Sequence, residues 1–334
     1  MPLIRRTGSQ MPRRGPRGTV RAALLPALFA PLPAAATEGI ADKYPGSPLY
    51  NKPVELFPGV WTSVGATDRP TPGNGGHVLN LSFIITGDGV VVVNAGAAYI
   101  LAEALHDEIR ARTDQPVRMV INTGADAAAM LGNSYWIAQG VPVLAHSDAA
   151  YTFDLHKTGL TEAMAAVTGE AAGGTFPLPP TETFTDRIDM VMGDFHIEIV
   201  NLGPARAAGD VQVWLPEIGL VIAGGIALHE RLPEVAPGTC TACWIETWDA
   251  EFEPLGATWV IPAHGHPASM AQVRRYSRDY LAWLRDRVGE HIDAGGDAEG
   301  AREIDQSPWA RLDLFGVLAA QNAVNVFTEM EFDR

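Results

Sequence analysis

One loop of the sequence has the form of a catalytic loop but very little of its chemistry. The segment VINTGADAAAMLGN runs from a strand-like stretch ending at Asn122 through a polar turn into a short apolar helix, an arrangement in which hydrolases often present catalytic side chains. Between Thr123 and Gly132, Asp126 is the only side chain suited to binding a metal ion or moving a proton. Small residues fill the neighbouring positions, among them Gly124, Ala128 and Ala129.

Three other side chains are candidates for chemistry in later segments. Arg206 and Asp210 lie in LGPARAAGDVQVW, and His264 lies in VIPAHGHP. His264 could act as a general base or a metal ligand, or it could hydrogen-bond to backbone at the end of a strand. Asp210 follows Gly209 at a predicted strand start. An acidic side chain at such a position commonly accepts hydrogen bonds from nearby backbone amides.

The chain has two cysteines, Cys240 and Cys243, in TCTACW. In an oxidising compartment such a close pair forms a disulfide. A C-x-x-C pair just before a predicted helix also suits thiol redox exchange or a soft metal such as Cu(I). The sequence leaves these alternatives open.

The first 36 residues indicate export. They carry six arginines and no acid, followed by AALLPALFAPLPAAA, and residues 1–36 are therefore predicted to be a signal peptide cleaved near Ala36. The apolar run contains three prolines and is shorter than the roughly 20 residues that span a bilayer, so no stable membrane span is expected in the mature chain. The predicted location is periplasmic or secreted, by either the general or the twin-arginine route.

Charge narrows the choice of partners. Losing the six arginines of the signal takes the formal net charge from −15 to −21. A surface so acidic disfavours nucleic acid and anionic membranes.

The elements that must position these residues alternate between strands and helices in two halves. GVVVVNAG, VRMVIN and VPVLAHS read as strands of the first half, and FHIEIVNLG, DVQVWLPEIG and TWVIPAHG as strands of the second. One helix is expected over about 99–112, another over about 148–170, and a long one over about 269–290. Two halves of this kind predict an α/β fold with two packed sheets and helices outside.

The order of the segments resembles the metallo-β-lactamase superfamily over about 210 residues. GDGVVVVNAG is similar to its strand-turn ending in Asp-x-Gly, VINTGADAAAMLGN to its zinc loop, LGPARAAGDVQVWLPEIGLVIAGG to the segment of the third histidine and bridging Asp, and VIPAHGHP to its last histidine motif. The resemblance implies a four-layer αββα sandwich over residues 55–334, with a C-terminal helical segment, preceded by an N-terminal extension over 37–54. WIETW and NAVNVFTEMEF resemble the exported branch associated with quinoprotein and sulfur-oxidation systems.

The chain departs from that family at nearly every metal ligand. His264 is the one ligand kept. In the first site, the two histidines are replaced by Gly124 and Asp126, and the third histidine by Arg206. In the second site, Ala128 and Ala129 replace the Asp and His; Gly225 replaces the bridging Asp, and Asn94 replaces the Asp of the strand-turn. A catalytic zinc needs about three ligands, and arginine has no lone pair to donate. No cofactor is therefore expected at the family site.

The resemblance and its departures lead to one main hypothesis and two alternatives. The main hypothesis is a pseudoenzyme whose cleft holds Asp126, Arg206, Asp210 and His264, and which binds a small anionic ligand or serves as a partner of a periplasmic redox protein. Within it, Arg206 either recognises an anion or forms a salt bridge with Asp126 that fills a disused site. The alternatives are a hydrolase with a non-standard zinc or copper site near His264 and Asp126, and a thiol redox or copper-binding protein that uses the two cysteines.

Overall fold

Two mixed β-sheets packed face to face, with helices on their outer faces, form the molecule. The computed structural model describes residues 44–332, and the predicted signal peptide lies outside this range. The predicted α/β sandwich is confirmed: one hydrophobic core lies between the sheets, and two further cores lie between a sheet and its helices.

The first sheet has seven strands in sequence order, antiparallel from β1 to β4 and parallel from β4 to β7. Its strands are β1 (Val54–Phe57), β2 (Val60–Ser63), β3 (Leu81–Ile85), β4 (Val90–Val93), β5 (Val117–Ile121), β6 (Val143–His146) and β7 (Glu182–Phe184).

The second sheet has six strands in the order β13-β12-β11-β10-β9-β8, and only β11 and β12 run parallel. Its strands are β8 (Arg187–Met192), β9 (Phe195–Val200), β10 (Gln212–Leu215), β11 (Leu220–Ile222), β12 (Trp259–Ile261) and β13 (Ala268–Ser269).

Helices cover the outer face of each sheet. They are α1 (Tyr99–Arg110), α2 (Ala127–Met130), α3 (Asn133–Ala138), α4 (Ser147–Thr168), α5 (Thr241–Thr247), α6 (Met270–Tyr276), α7 (Arg278–Asp293), α8 (Ala298–Ala301) and α9 (Phe315–Phe332). A π-helical turn, Trp248–Phe252, extends α5. No helix within residues 44–332 is long and apolar enough to cross a membrane.

The four valines of β4 show why the sheets pack as they do. Val91 and Val93 lie in the core between the sheets, whereas Val90 and Val92 lie in the core under the helices. A strand covered on both faces needs apolar residues at every position, since neighbouring side chains point to opposite faces.

Two features differ from the sequence predictions. The long helix expected over 269–290 is two helices, because Ser277 leaves the helical conformation with φ −110° and ψ −83°. Strand β7, at the edge of the first sheet, was not predicted. Leu49, placed in the N-terminal extension by the sequence, is buried in the core of the first sheet and its helices.

Candidate ligand-binding cleft

Loops from both sheets meet at one end of the sandwich and carry the candidate residues. The loop after β5 is joined to β10 by the Val211 amide, which donates to the Thr123 carbonyl at 2.8 Å. The loop after β12 is joined to the loop after β11 by the His229 amide, which donates to the His264 carbonyl at 3.0 Å. These bonds join residues that are 88 and 35 positions apart in the sequence.

The side chain of Asn94 forms hydrogen bonds to two separate segments of the chain and so links them. Asn94 has a left-handed φ of 70° and is buried. Its Oδ1 accepts hydrogen bonds from the Thr123 amide at 3.0 Å and the Thr123 hydroxyl at 2.9 Å, and its Nδ2 donates to the Asn80 carbonyl at 3.3 Å. An amide can donate and accept at the same time, which an ionised carboxylate cannot do.

Asn80 holds the turn that carries His264, and sequence reasoning missed it. Its Nδ2 donates to the carbonyls of Pro262 at 2.9 Å and Gly265 at 2.8 Å, while its Oδ1 accepts from the Gly65 amide at 3.1 Å. The signal available in the sequence was a polar residue inside the apolar strand segment HVLNLSFII.

Asp126 and Arg206 form an ion pair. Asp126 occupies the N-cap position of α2, but its side chain makes no bond to the helix backbone and instead accepts from Arg206 Nη2. The side chains are 37% and 24% exposed. The nearby Asp126 charge raises the pKa of Arg206, so the guanidinium stays protonated and cannot bind a metal.

Asp210 occupies the space that a side chain at either of two glycines, Gly124 or Gly225, would need. A Cβ at Gly124 would lie 2.8 Å from Asp210 Oδ1, and a Cβ at Gly225 would lie 2.6 Å from Oδ2. Oδ2 accepts from the Ala207 amide at 3.1 Å, which is the backbone-capping contact expected from the sequence. Both glycines therefore leave room for this carboxylate.

The surroundings of Asp210 are unusual for an acid. The residue is 1% exposed, and Oδ1 has no hydrogen-bond partner among the described residues. Burial raises the pKa of Asp210 to about 7, against the opposing effect of Arg206.

His264 is held as a neutral imidazole. Its Nδ1 lies 2.6 Å from the Val78 carbonyl, a contact that assigns the proton to Nδ1 and leaves Nε2 as an acceptor. Burial, together with the nearby Arg231 charge, lowers the pKa of His264 well below its usual value.

Arg231, which the sequence did not single out, is the most deeply buried cation of the cleft. It is 7% exposed, and its Nη1 lies 3.3 Å from His264 Nδ1 and 3.5 Å from the Asp68 carbonyl. Because His264 Nδ1 already carries a proton, the first of these contacts places two donors side by side. Within residues 44–332, Nε of Arg231 has no hydrogen-bond partner and the guanidinium has no ion pair with a carboxylate.

Arg231 remains charged despite this environment. Burial lowers its pKa to about 10, still well above neutral pH. In the sequence it stands in HERLPE between Glu230 and Glu234.

The cysteines are joined as a disulfide. Cys240 and Cys243 are bonded with a Cα–Cα distance of 5.2 Å, and the preceding residue, Thr239, donates from its hydroxyl to the Arg206 carbonyl at 3.5 Å. In this form neither cysteine offers a thiolate to copper, so thiol redox exchange and copper binding stay predictions for the reduced protein.

The donors in the cleft do not fit the family's zinc ions. Ala128, Ala129, Gly124 and Gly225 offer no ligand atom, Asp126 is paired with Arg206, and Oδ2 of Asp210 accepts from backbone. His264 Nε2 and Asp210 Oδ1 are left as available donors, one short of the three that a catalytic zinc requires. The one group of three metal-binding side chains in the part of the chain that the structure describes lies elsewhere, on β8 and β9.

Comparison with known proteins agrees on the fold. No family model and no curated protein sequence matches the chain. Among solved structures, a metallo-β-lactamase from Pontibacter korlensis is 19% identical with a TM-score of 0.54, covering 69% of this chain and 98% of its own. A DIM-1 metallo-β-lactamase is 15% identical with a TM-score of 0.55, covering 69% and 96%. The chain therefore has the metallo-β-lactamase fold.

Proposed function

We propose that this protein is a non-hydrolytic member of its fold class that binds a small anion in the cleft. Arg231 is the observation that supports this most directly: it is a buried, charged guanidinium without a carboxylate partner among the described residues. Arg206 and the neutral His264 complete the binding surface.

An unpaired buried cation is costly, and an anionic ligand removes that cost. Transferring a charge from water into a protein interior costs several kcal/mol after relaxation unless a counter-charge is present. No described carboxylate pairs directly with Arg231: Asp126, which pairs with Arg206, and Glu234 favour its charge only from a distance. A carboxylate, sulfonate or thiosulfate-like group offers the oxygen atoms that a guanidinium binds in bidentate fashion.

The size of the ligand follows from the exposure of the cation. Only 7% of Arg231 is accessible, so a large ligand could present to it only one small charged group. Hydrolysis of the family's kind is not part of the proposal, because the cleft lacks the donors that would hold a water-activating metal.

We also propose that the protein works outside the cytoplasm. The disulfide supports this, since such bonds persist in oxidising compartments and are rare where thioredoxin and glutathione keep thiols reduced. A periplasmic oxidation system is a setting in which small sulfur oxyanions and carboxylates are available as ligands.

Calorimetry with sulfite, thiosulfate and small carboxylates tests the anion proposal. We expect at least one of them to bind the wild-type protein, and Arg231→Gln to weaken that binding at least tenfold. Arg302→Gln, which removes an exposed arginine from the surface ion pair with Glu299, is the matched control and should change nothing. Arg206→Ala should have a smaller effect than Arg231→Gln.

Two results would contradict the proposal. Equal affinity in wild type and Arg231→Gln, with both proteins folded by circular dichroism, would mean that Arg231 does not bind the ligand. Hydrolysis of a lactam, thioester or sulfate ester after exhaustive chelation, lost in His264→Ala, would show that the cleft is catalytic.

A further inference from the structure

A second group of chemically capable side chains lies away from the cleft, on the hairpin of β8 and β9. Asp189 is on β8, and His196 and Glu198 are on β9. One ligand atom from each lies within 4.8 Å of the other two. We propose that these three side chains form a binding site for a divalent transition-metal ion of the zinc class.

The strand register holds two carboxylates directly against each other. Asp189 and Glu198 are cross-strand partners in the antiparallel pair. Like charges at such positions are destabilising unless a cation lies between them. His196 Nε2 lies 2.8 Å from Asp189 Oδ1 and 3.8 Å from Glu198 Oε1, so a nitrogen donor faces the same space as both carboxylates.

Glu198 keeps one oxygen out of its ion pair with Arg187. The guanidinium of Arg187 pairs with Oε2 of Glu198, whereas Oε1 is the oxygen that faces His196. Arg187 therefore lowers the net negative charge of the group without competing for the oxygen that an ion would use.

A fourth residue, Glu217, lies beside the second ring nitrogen of His196. His196 Nδ1 lies 3.4 Å from Oε1 of Glu217, in the turn after β10. Metal-binding histidines commonly donate their second ring N–H to a carboxylate, which fixes the tautomer and leaves the other nitrogen for the metal. This contact is independent of the three proposed ligands.

The donor set selects the class of ion. One imidazole nitrogen and two carboxylate oxygens suit zinc and its neighbours, whereas calcium and magnesium prefer oxygen ligands alone. Three protein ligands leave a position for water. Because β8 is the edge strand of the second sheet, a bound ion would fix that edge to β9.

Zinc titration of the untagged mature protein by calorimetry tests the site. We expect one zinc ion per chain with a dissociation constant in the micromolar range or below, and at least a tenfold loss of affinity in His196→Ala. Glu217→Gln should weaken binding roughly tenfold with unchanged stoichiometry, as for other residues that orient a ligand.

Two histidine variants are the controls. His156→Ala removes an exposed histidine from α4, and His264→Ala removes the histidine of the cleft; both should bind zinc as the wild type does. Zinc should also raise the melting temperature of the wild type and of His264→Ala but not of His196→Ala. Absence of one-to-one binding by the wild type, or binding that survives His196→Ala, would overturn the inference.

Discussion

At the scale of single residues, Asp210 makes the clearest prediction. The pKa of Asp210 is about 7, above the ordinary value near 3.8. Between about pH 4 and pH 7, the folded protein therefore keeps a proton on this carboxyl group that the unfolded chain has lost. The free energy of unfolding therefore falls as pH rises through this window. Above pH 7 the carboxylate is charged in the folded state as well, and this loss of stability is complete. Asp210→Asn, which stays neutral, should be more stable than wild type by on the order of 2–4 kcal/mol at pH 8.

The pH dependence of this difference separates it from a packing effect. The advantage of Asp210→Asn should shrink from pH 7 towards pH 4, as measured by denaturant unfolding at several pH values. Asp286→Asn, at an exposed position on α7, should show no such trend. A pH-independent difference between Asp210→Asn and wild type would mean that the carboxylate is not protonated in the folded protein.

The ion pair of Asp126 and Arg206 gives a second prediction. Removing one partner of a fully buried pair costs roughly 3–5 kcal/mol, and partial exposure of both side chains reduces that, so Asp126→Asn should cost about 1–2 kcal/mol. The same change frees Arg206 and should strengthen anion binding severalfold in calorimetry. The double variant with Arg206→Gln should be less destabilised than the sum of the single changes; additive losses would show that the pair contributes nothing.

Some properties of this cleft follow directly from the types of residue in its loops. That Gly124, Ala128, Ala129 and Arg206 offer no ligand to zinc can be seen directly in the sequence, because their side chains have no lone pair to donate. The environment of Asp210 and Arg231 could not, since a raised pKa or an unpaired guanidinium depends on which distant segments bury the group. The sequence therefore predicted a capping role for Asp210 and did not single out Arg231.

At the scale of elements, the loops after β5 and β11 fit around Asp210 only because they carry glycines. Gly225→Ala would place a methyl group 2.6 Å from Asp210 Oδ2 and should cost about 1–3 kcal/mol of stability. In an Asp210→Ala background the same change should cost much less. Gly159→Ala, whose added methyl meets nothing within 4 Å, is the control. An equal cost in both backgrounds would rule out the steric coupling between Gly225 and Asp210.

The break between α6 and α7 supports the loop that carries Arg231. The buried hydroxyl of Ser277 donates to the Leu228 carbonyl at 3.0 Å and accepts from the Leu228 amide at 2.8 Å. Ser277→Ala would leave both backbone groups unpaired and should cost about 2–3 kcal/mol. Thr158→Ala, on the exposed face of α4, should change stability by less than about 0.5 kcal/mol. If Ser277→Ala unfolds at the wild-type denaturant concentration, the hydroxyl does not support the loop.

Long apolar or periodic segments gave reliable predictions of elements. The four valines of β4 and the apolar face of α1 are strong signals, because burial on a sheet or under a helix requires them. Strand β7 has three residues, none of them buried, and so leaves no such pattern. The break at Ser277 depends on the contact with Leu228, about 50 positions earlier in the sequence, which no local pattern contains.

At the scale of the whole molecule, the fold depends on layered burial and not on the metal site. Structures with 15–19% identity share it, and in this chain the sheet–sheet core and the two helix–sheet cores consist of apolar side chains. The C-terminal helix α9 contributes Ala323, Val326 and Phe327 to one of them. The glycines, alanines and arginine in the loops at the end of the sandwich are therefore compatible with an intact core.

Export and the disulfide together make the last prediction. If residues 1–36 direct the chain to an oxidising compartment, protein isolated from the native cell envelope should begin near Thr37 by mass spectrometry.

An alkylating reagent should label neither cysteine before reduction and both cysteines after it, because Cys240 and Cys243 are bonded to each other. The closed loop is only four residues long, so reduction should lower the free energy of unfolding by about 2 kcal/mol on chain entropy alone. The variant with both cysteines changed to serine should show the same loss and no further change on reduction. An intact N-terminus in envelope protein would contradict export, and full labelling without reductant would contradict the disulfide; either result would remove the support for placing the anion site outside the cytoplasm.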